Sequence, residues 1–155
     1  MSGRILARLN ELGLSLPKPA APIANYVAYV RSGKLLFISG QLAMGANGIE
    51  YPGIVGKDVS IEDAKRAARL AALNVIAQAS TALEGNLDLV TRVVKVTGWV
   101  NCGPGFTQQP DVVNGASDLF GEVFGDAGRH ARAAVGASSL PRNSVVEVDA
   151  IFEIA

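Results

Sequence analysis

The stretch from Ser60 to Gly85 constrains the fold more than any other part of the chain. Ile61, Ala64, Ala68, Ala72 (or Ala71), Val75, Ala79 and Leu83 step by three and four residues along one face, while Glu62, Lys65, Arg66 and Arg69 take the other. Ser60-Ile61-Glu62-Asp63 in front has the form of a capping box, with Asp where Glu or Gln usually stands, and Gly85 supplies the stop. A helix with so many alanines on its apolar face can lie close on a sheet, so the question becomes where the strands are.

Upstream, Tyr26-Val27-Ala28-Tyr29-Val30 and Lys34-Leu35-Leu36-Phe37-Ile38-Ser39 flank Arg31-Ser32-Gly33, a hairpin signal. Before it, Ile5, Leu6, Leu9 and Leu12 predict a short helix ended by Gly13, and the prolines between Pro17 and Pro22 a rigid connector. Glycines from Gly45 to Gly56 mark a loop. Downstream, the β-branched run Leu89 to Val100 predicts a central strand, with Val94, Val96, Gly98 and Val100 on one face and Val93, Lys95, Thr97 and Trp99 on the other. A second amphipathic helix follows, carried by Val112 or Val113, Ala116, Leu119 or Phe120, and Val123 or Phe124, and closed by Gly125 and Gly128. Two strands, Ala131 to Ala137 and Val145 to Ile154, finish the chain around a turn with Pro141, Arg142 and Asn143. This order predicts one α+β domain over residues 1–155, with both long helices against a mixed sheet and residues 1–16 as an N-terminal helical extension.

Composition narrows the function. With 14 basic and 14 acidic residues, and only 18% of the chain charged, no strong field is expected, which disfavours nucleic acid as a partner. One cysteine, Cys102, and one histidine, His130, exclude a disulfide framework and metal sites built on several thiolates or imidazoles. No signal peptide and no run near the roughly 20 apolar residues of a membrane span is present, so the default expectation is a soluble cytoplasmic protein. At 49% apolar, some surface is expected to meet another subunit.

No Gly-x-Ser-x-Gly, Walker loop, dinucleotide fingerprint or His-Glu-x-x-His occurs. What remains is a polar set at strand ends and on the second helix: Ser39-Gly40-Gln41, Asn114, Arg132 and Glu147. Gly40 would let a ligand approach the backbone, although Ser39-Gly40 also fits a strand terminus with a bend. Arg132, followed by small apolar residues, is a fixed cation with a fork of donors suited to a carboxylate, or else the partner of an acid. Glu147 shares a face with Asp149 and Glu153, which also fits a solvated surface. His130 and Cys102 read as structural, and Trp99 as core or interface.

Taken together, Tyr26-Val27, Ile38-Ser39-Gly40-Gln41, Val113-Asn114, Ala131-Arg132-Ala133, Leu140-Pro141 and Val146-Glu147-Val148 resemble the RidA family, also called YjgF or endoribonuclease L-PSP. The resemblance implies a chorismate-mutase-like fold with two long helices on one face of the sheet, assembled as a homotrimer with ligand clefts between subunits. It further implies hydrolysis of reactive 2-imino or enamine acids to 2-keto acids and ammonia, with no metal or organic cofactor. Arg132 would then clamp the substrate carboxylate with backbone N–H groups near Gly40 and Ala134. Glu147 and Ser39 are the catalytic candidates, Asn114 a binding residue, and Tyr26 a cleft residue from a neighbouring subunit. Ala134 stands where the deaminase subgroup carries cysteine, and the loop between Trp99 and Asn114 is longer than in that subgroup. The alternatives are a non-catalytic trimer that binds or senses a small carboxylate and, on the older family name alone, an endoribonuclease.

Overall fold

The computed structural model describes residues 3–22 and 24–155, so residues 1 and 2 of the expected extension and residue 23 lie outside the described residues. Ile5 and Leu9, one helical turn apart, are buried in helix α1 (Arg4–Glu11), and Gly13 follows its end in the left-handed region at φ 70°. The start of α1 is held by a distant residue. The Asp88 carboxylate accepts the N–H groups of Ile5 and Arg4, each at 2.9 Å, and these bonds hold its pKa below the ordinary value.

Strands β1 (Tyr29–Ser32) and β2 (Leu35–Leu42) form the expected hairpin around a two-residue turn in which Gly33 adopts φ 60°. The first strand begins three residues later than its composition predicts. Tyr26 and Val27 lie exposed beyond the ladder, and the Ser39 hydroxyl ties Val27 to it. Nor does β2 end at Ser39-Gly40: its pairing steps from Ile38 opposite Ala150 to Gln41 opposite Val148, so Ser39-Gly40 is a bulge inside a continuing strand. The glycine-rich loop carries a small ribbon, β3 (Met44–Gly45) with β4 (Gly48–Ile49).

Ser60 caps α2 (Ile61–Ala82) by accepting the Asp63 N–H at 3.1 Å; Asp63, a methylene shorter than the Glu of a full capping box, turns to Arg66 instead. After β5 (Val90–Asn101) come α3 (Gln109–Phe124), β6 (Ala131–Ala137) and β7 (Val146–Ile154). The five long strands order as β1-β2-β7-β5-β6, antiparallel throughout except for the parallel pair β5-β6. Thus β7 holds the central place and β5 lies beside it. The predicted two faces of β5 also need correction at two residues, Val93 and Val94, the latter half-buried and without a partner on β7. A register shift between Val93 and Lys95 turns Val93 to the buried face with Val96, because a bulge inverts the alternation.

Helices α2 and α3 cover one face of this mixed sheet, the α+β arrangement expected. They approach so closely that a Cβ on Gly115 would lie 2.0 Å from the Lys65 carbonyl oxygen, and one on Gly98 would lie 2.4 Å from Val113 Cγ2. Small residues are therefore what allow α3 to sit against both α2 and β5. Phe120 and Phe152 meet edge-on in the core with ring centroids 6.0 Å apart. The other face of the sheet carries Phe37, Trp99 and Val135, all exposed, beside Ile151.

Candidate functional site

The bulge at Ser39-Gly40 faces Glu147 on the neighbouring strand β7. Gly40 lacks the side chain that would block the carboxyl group: a Cβ there would stand 2.9 Å from both Cδ and Oε2 of Glu147. The space opened by this glycine is thus filled by Glu147 rather than left to a ligand. Glu147 is half-buried, and burial, followed by the nearby Asp149 carboxylate, raises its pKa above the usual carboxylate value. Asp149 in turn accepts the indole N–H of Trp99 at 2.9 Å. The three-acid face of β7 is therefore only partly solvated, and Glu147 is the acid on it whose proton is retained to higher pH.

Glu147 opens onto a cleft of about 160 Å³ shared by Tyr26, Ser39, Gly40, Met44, Pro141 and Arg142, with Ala20 to Pro22 along one side. Ser39 Oγ donates to the Val27 carbonyl at 2.7 Å and so fixes the Tyr26-Val27 segment at the cleft. The floor is held from α2. Asn74 Nδ2 donates to the carbonyls of Leu42 and Met44 at 3.1 and 3.0 Å, and Gln78 Nε2 donates to the Ala20 carbonyl at 2.9 Å. These buried amides went unnoticed in the sequence, although two polar residues four apart within an apolar helical run are a recognisable sign.

Arg132 lies elsewhere. On edge strand β6 it stands opposite Val96, with its side chain on the helix-covered face, whereas Glu147 points to the open face from two strands away, roughly 10 Å across the sheet. Its NH1 donates to Asn114 Oδ1 at 2.7 Å and to Ser117 Oγ at 3.2 Å. No acid pairs with it among the described residues, so the salt-bridge alternative does not hold. Neutral partners leave its charge uncompensated, and Nε and NH2 keep their donors for another group. Ala134 follows on the same face, opposite Gly98.

The predicted residues therefore form two clusters. Tyr26, Ser39, Gly40 and Glu147 share the cleft; Arg132, Asn114 and Ala134 gather at the β6 edge. His130, read as structural, has two hydrogen-bond partners: its Nδ1 lies 2.7 Å from the Gly128 carbonyl and its Nε2 lies 2.9 Å from Ser117 Oγ. Burial, and to a smaller degree the Arg132 charge, lowers its pKa, against the opposing effect of the Gly128 carbonyl. Among the described residues no three His, Cys, Asp or Glu side chains converge as metal ligands. No helix among them is long and apolar enough to cross a membrane.

Fold and site together define a small α+β protein with a carboxylate-bearing cleft and a separate uncompensated arginine. The chain belongs to the family described as YjgF/chorismate mutase-like, putative endoribonuclease, whose model matches residues 6–154. It is 49% identical to the protein TCP17 of Trypanosoma cruzi over 99% of this chain and 96% of that one. A crystal structure of a protein of unknown function from Agrobacterium tumefaciens is 50% identical with a TM-score of 0.91, over 97% of this chain and 93% of the other. A Shewanella oneidensis protein given the same endoribonuclease description as the family is 35% identical with a TM-score of 0.94, over 98% of this chain and all, 100%, of the other.

Proposed function

We propose that this protein is a cytoplasmic hydrolytic deaminase of reactive 2-imino or enamine acids, acting as a homotrimer whose clefts lie between subunits. One observation carries this reading: a half-buried cation without an acid partner and a half-buried carboxylate with a raised pKa sit in two separate clusters of one chain. Each is half of a site, and a second copy brings the halves together. The exposed apolar side chains of Phe37, Trp99 and Val135 on the open sheet face supply surface for that assembly.

In the assembled cleft, the free donors of Arg132 hold the substrate carboxylate, with the Ala134 N–H beside them. Glu147 takes a proton from water as it attacks the imine carbon and returns one to the departing nitrogen, releasing a 2-keto acid and ammonia. A group that retains its proton to higher pH is suited to both transfers. Ser39 shapes the wall near the reacting water, and Tyr26 closes it. An imine is already electrophilic, so positioning and one proton-transfer group suffice.

The test is formation of 2-keto acid and ammonia from freshly generated 2-aminoacrylate or 2-iminobutyrate above the spontaneous rate. Arg132→Ala and Glu147→Gln should each abolish most of the gain, and sedimentation should show a trimer. A second reading, a trimer that binds a carboxylate without turning it over, is favoured by Ala134 in place of the subgroup cysteine. Binding of 2-oxobutyrate without turnover would establish it. RNA cleavage is disfavoured by zero net charge and by the lone histidine.

A further inference from the structure

Arg132, Ser117 and His130 form a hydrogen-bond chain whose direction can be deduced. The Gly128 carbonyl can only accept, so His130 Nδ1 carries the hydrogen at that 2.7 Å contact. In the neutral ring Nε2 is then bare and accepts the Ser117 hydroxyl at 2.9 Å, which leaves a lone pair of Ser117 Oγ for Arg132 NH1 at 3.2 Å. Phe120 holds the imidazole edge-on, with centroids 5.8 Å apart.

Protonation reverses one link. A charged imidazole donates from Nε2 to Ser117 Oγ, and the Ser117 proton must turn away from the ring. It turns beside Arg132, where an anion held by the guanidinium can accept it. We propose that His130 is a proton-linked positioning residue for the Arg132 anion site: protonation of its ring frees the Ser117 hydroxyl as a further donor, so proton uptake and carboxylate binding reinforce each other.

The surroundings leave this coupling uncluttered. The Arg132 guanidinium is the charge that opposes protonation of the ring. From α3 the ring meets Ser117 and Phe120, neither of which titrates near neutrality, while Asp118 on α3 and Arg129 beside it in the chain are exposed. Strand β5 sets Val96 opposite Arg132 and turns Lys95 to the other face. A carboxylate on Arg132 offsets the charge that opposes imidazole protonation, so electrostatics and the Ser117 reversal act in the same direction.

The proposal rests on Arg132 as a carboxylate anchor, and the experiment separates the two. His130 is the sole histidine, so proton–nitrogen spectra of the labelled protein report one imidazole without assignment. The neutral ring should be the Nδ1–H tautomer, and saturating 2-oxobutyrate should move its titration midpoint upward. By reciprocity, 2-oxobutyrate should bind about fivefold tighter below the midpoint than above it. That pH dependence should flatten in His130→Gln while Arg132-dependent binding persists, and it should shrink in Ser117→Ala. An Nε2–H tautomer, or a midpoint unmoved by 2-oxobutyrate that binds through Arg132, overturns the coupling alone. Binding that is absent, or equal in Arg132→Ala, overturns the anchor and the coupling with it.

Discussion

Replacing Gly40 by alanine should separate the stability of the protein from the placement of Glu147. The new Cβ would stand 2.9 Å from Glu147 Cδ. Carbon atoms rest at about 3.5 Å or more, so the carboxyl group must retreat by about 0.6 Å. Gly40 has no positive φ, so the backbone itself accepts alanine. The atoms that must yield are the end of a flexible side chain, at a cost of about 0.5–1.5 kcal/mol for a displaced rotamer. Loss of glycine's freedom in the unfolded chain offsets about 0.4–1 kcal/mol of that. The net change in Tm should stay within about 3 °C for a domain of this size.

Function should respond far more strongly, because displacement of a reacting group by about 1 Å can cost about 10²-fold. We expect imine hydrolysis by Gly40→Ala to fall about 10- to 100-fold, measured as 2-keto acid released, with a nearly unchanged melting curve. In a Glu147→Gln background the same substitution should add little, since the group it displaces is already disabled. Unimpaired turnover, a loss that multiplies fully with Glu147→Gln, or a fall in Tm of about 10 °C would refute the proposed packing of Gly40 on Glu147.

Glu147→Gln should itself stabilise the fold in a pH-dependent manner. Because the folded-state pKa lies above the ordinary 4.5, the wild type is favoured below that value and loses this contribution as pH rises through the folded pKa. The variant should therefore melt higher at pH 8, with the advantage disappearing toward pH 4; the opposite trend in calorimetric scans would contradict burial as the cause. Gly115→Ala should be costly for a different reason. Its Cβ would meet the Lys65 backbone oxygen at 2.0 Å, where no side chain can swing aside. We expect a loss of about 2–3 kcal/mol in urea unfolding, and a loss below about 0.5 kcal/mol would mean that α2 and α3 are not in such close contact.

Periodicity made the helices legible: the spacing from Ile61 to Leu83 extends over several turns and tolerates local exceptions. Strand signals were weaker where one residue changes the parity. Reading alternation straight through β5 put Val93 on the wrong face, since the bulge that reverses it depends on pairing with β7. Tyr26 to Ala28 have strand composition yet lie outside the ladder, because the Ser39-Gly40 bulge re-aims the backbone there. Arg132 and Glu147 were each recognisable by residue type. Their separation was not, for it follows from β6 joining as a parallel edge strand while β7 takes the centre. Ser117 and His130 left faint traces, one turn from Asn114 and two residues from Arg132, but only the packed helix shows that they meet.

Asn74 and Gln78 grip carbonyl oxygens, and every amino acid possesses the same carbonyl. Consequently the cavity's framework is indifferent to which side chains occupy Ala20, Leu42 and Met44, so long as the main chain keeps its path. Exchanges at these three positions can alter the size and polarity of the lining while the latches from α2 stay engaged. The floor of the cleft is thus an interchangeable panel on a fixed mount, and the place where relatives of this protein could acquire new ligand preferences without refashioning the core.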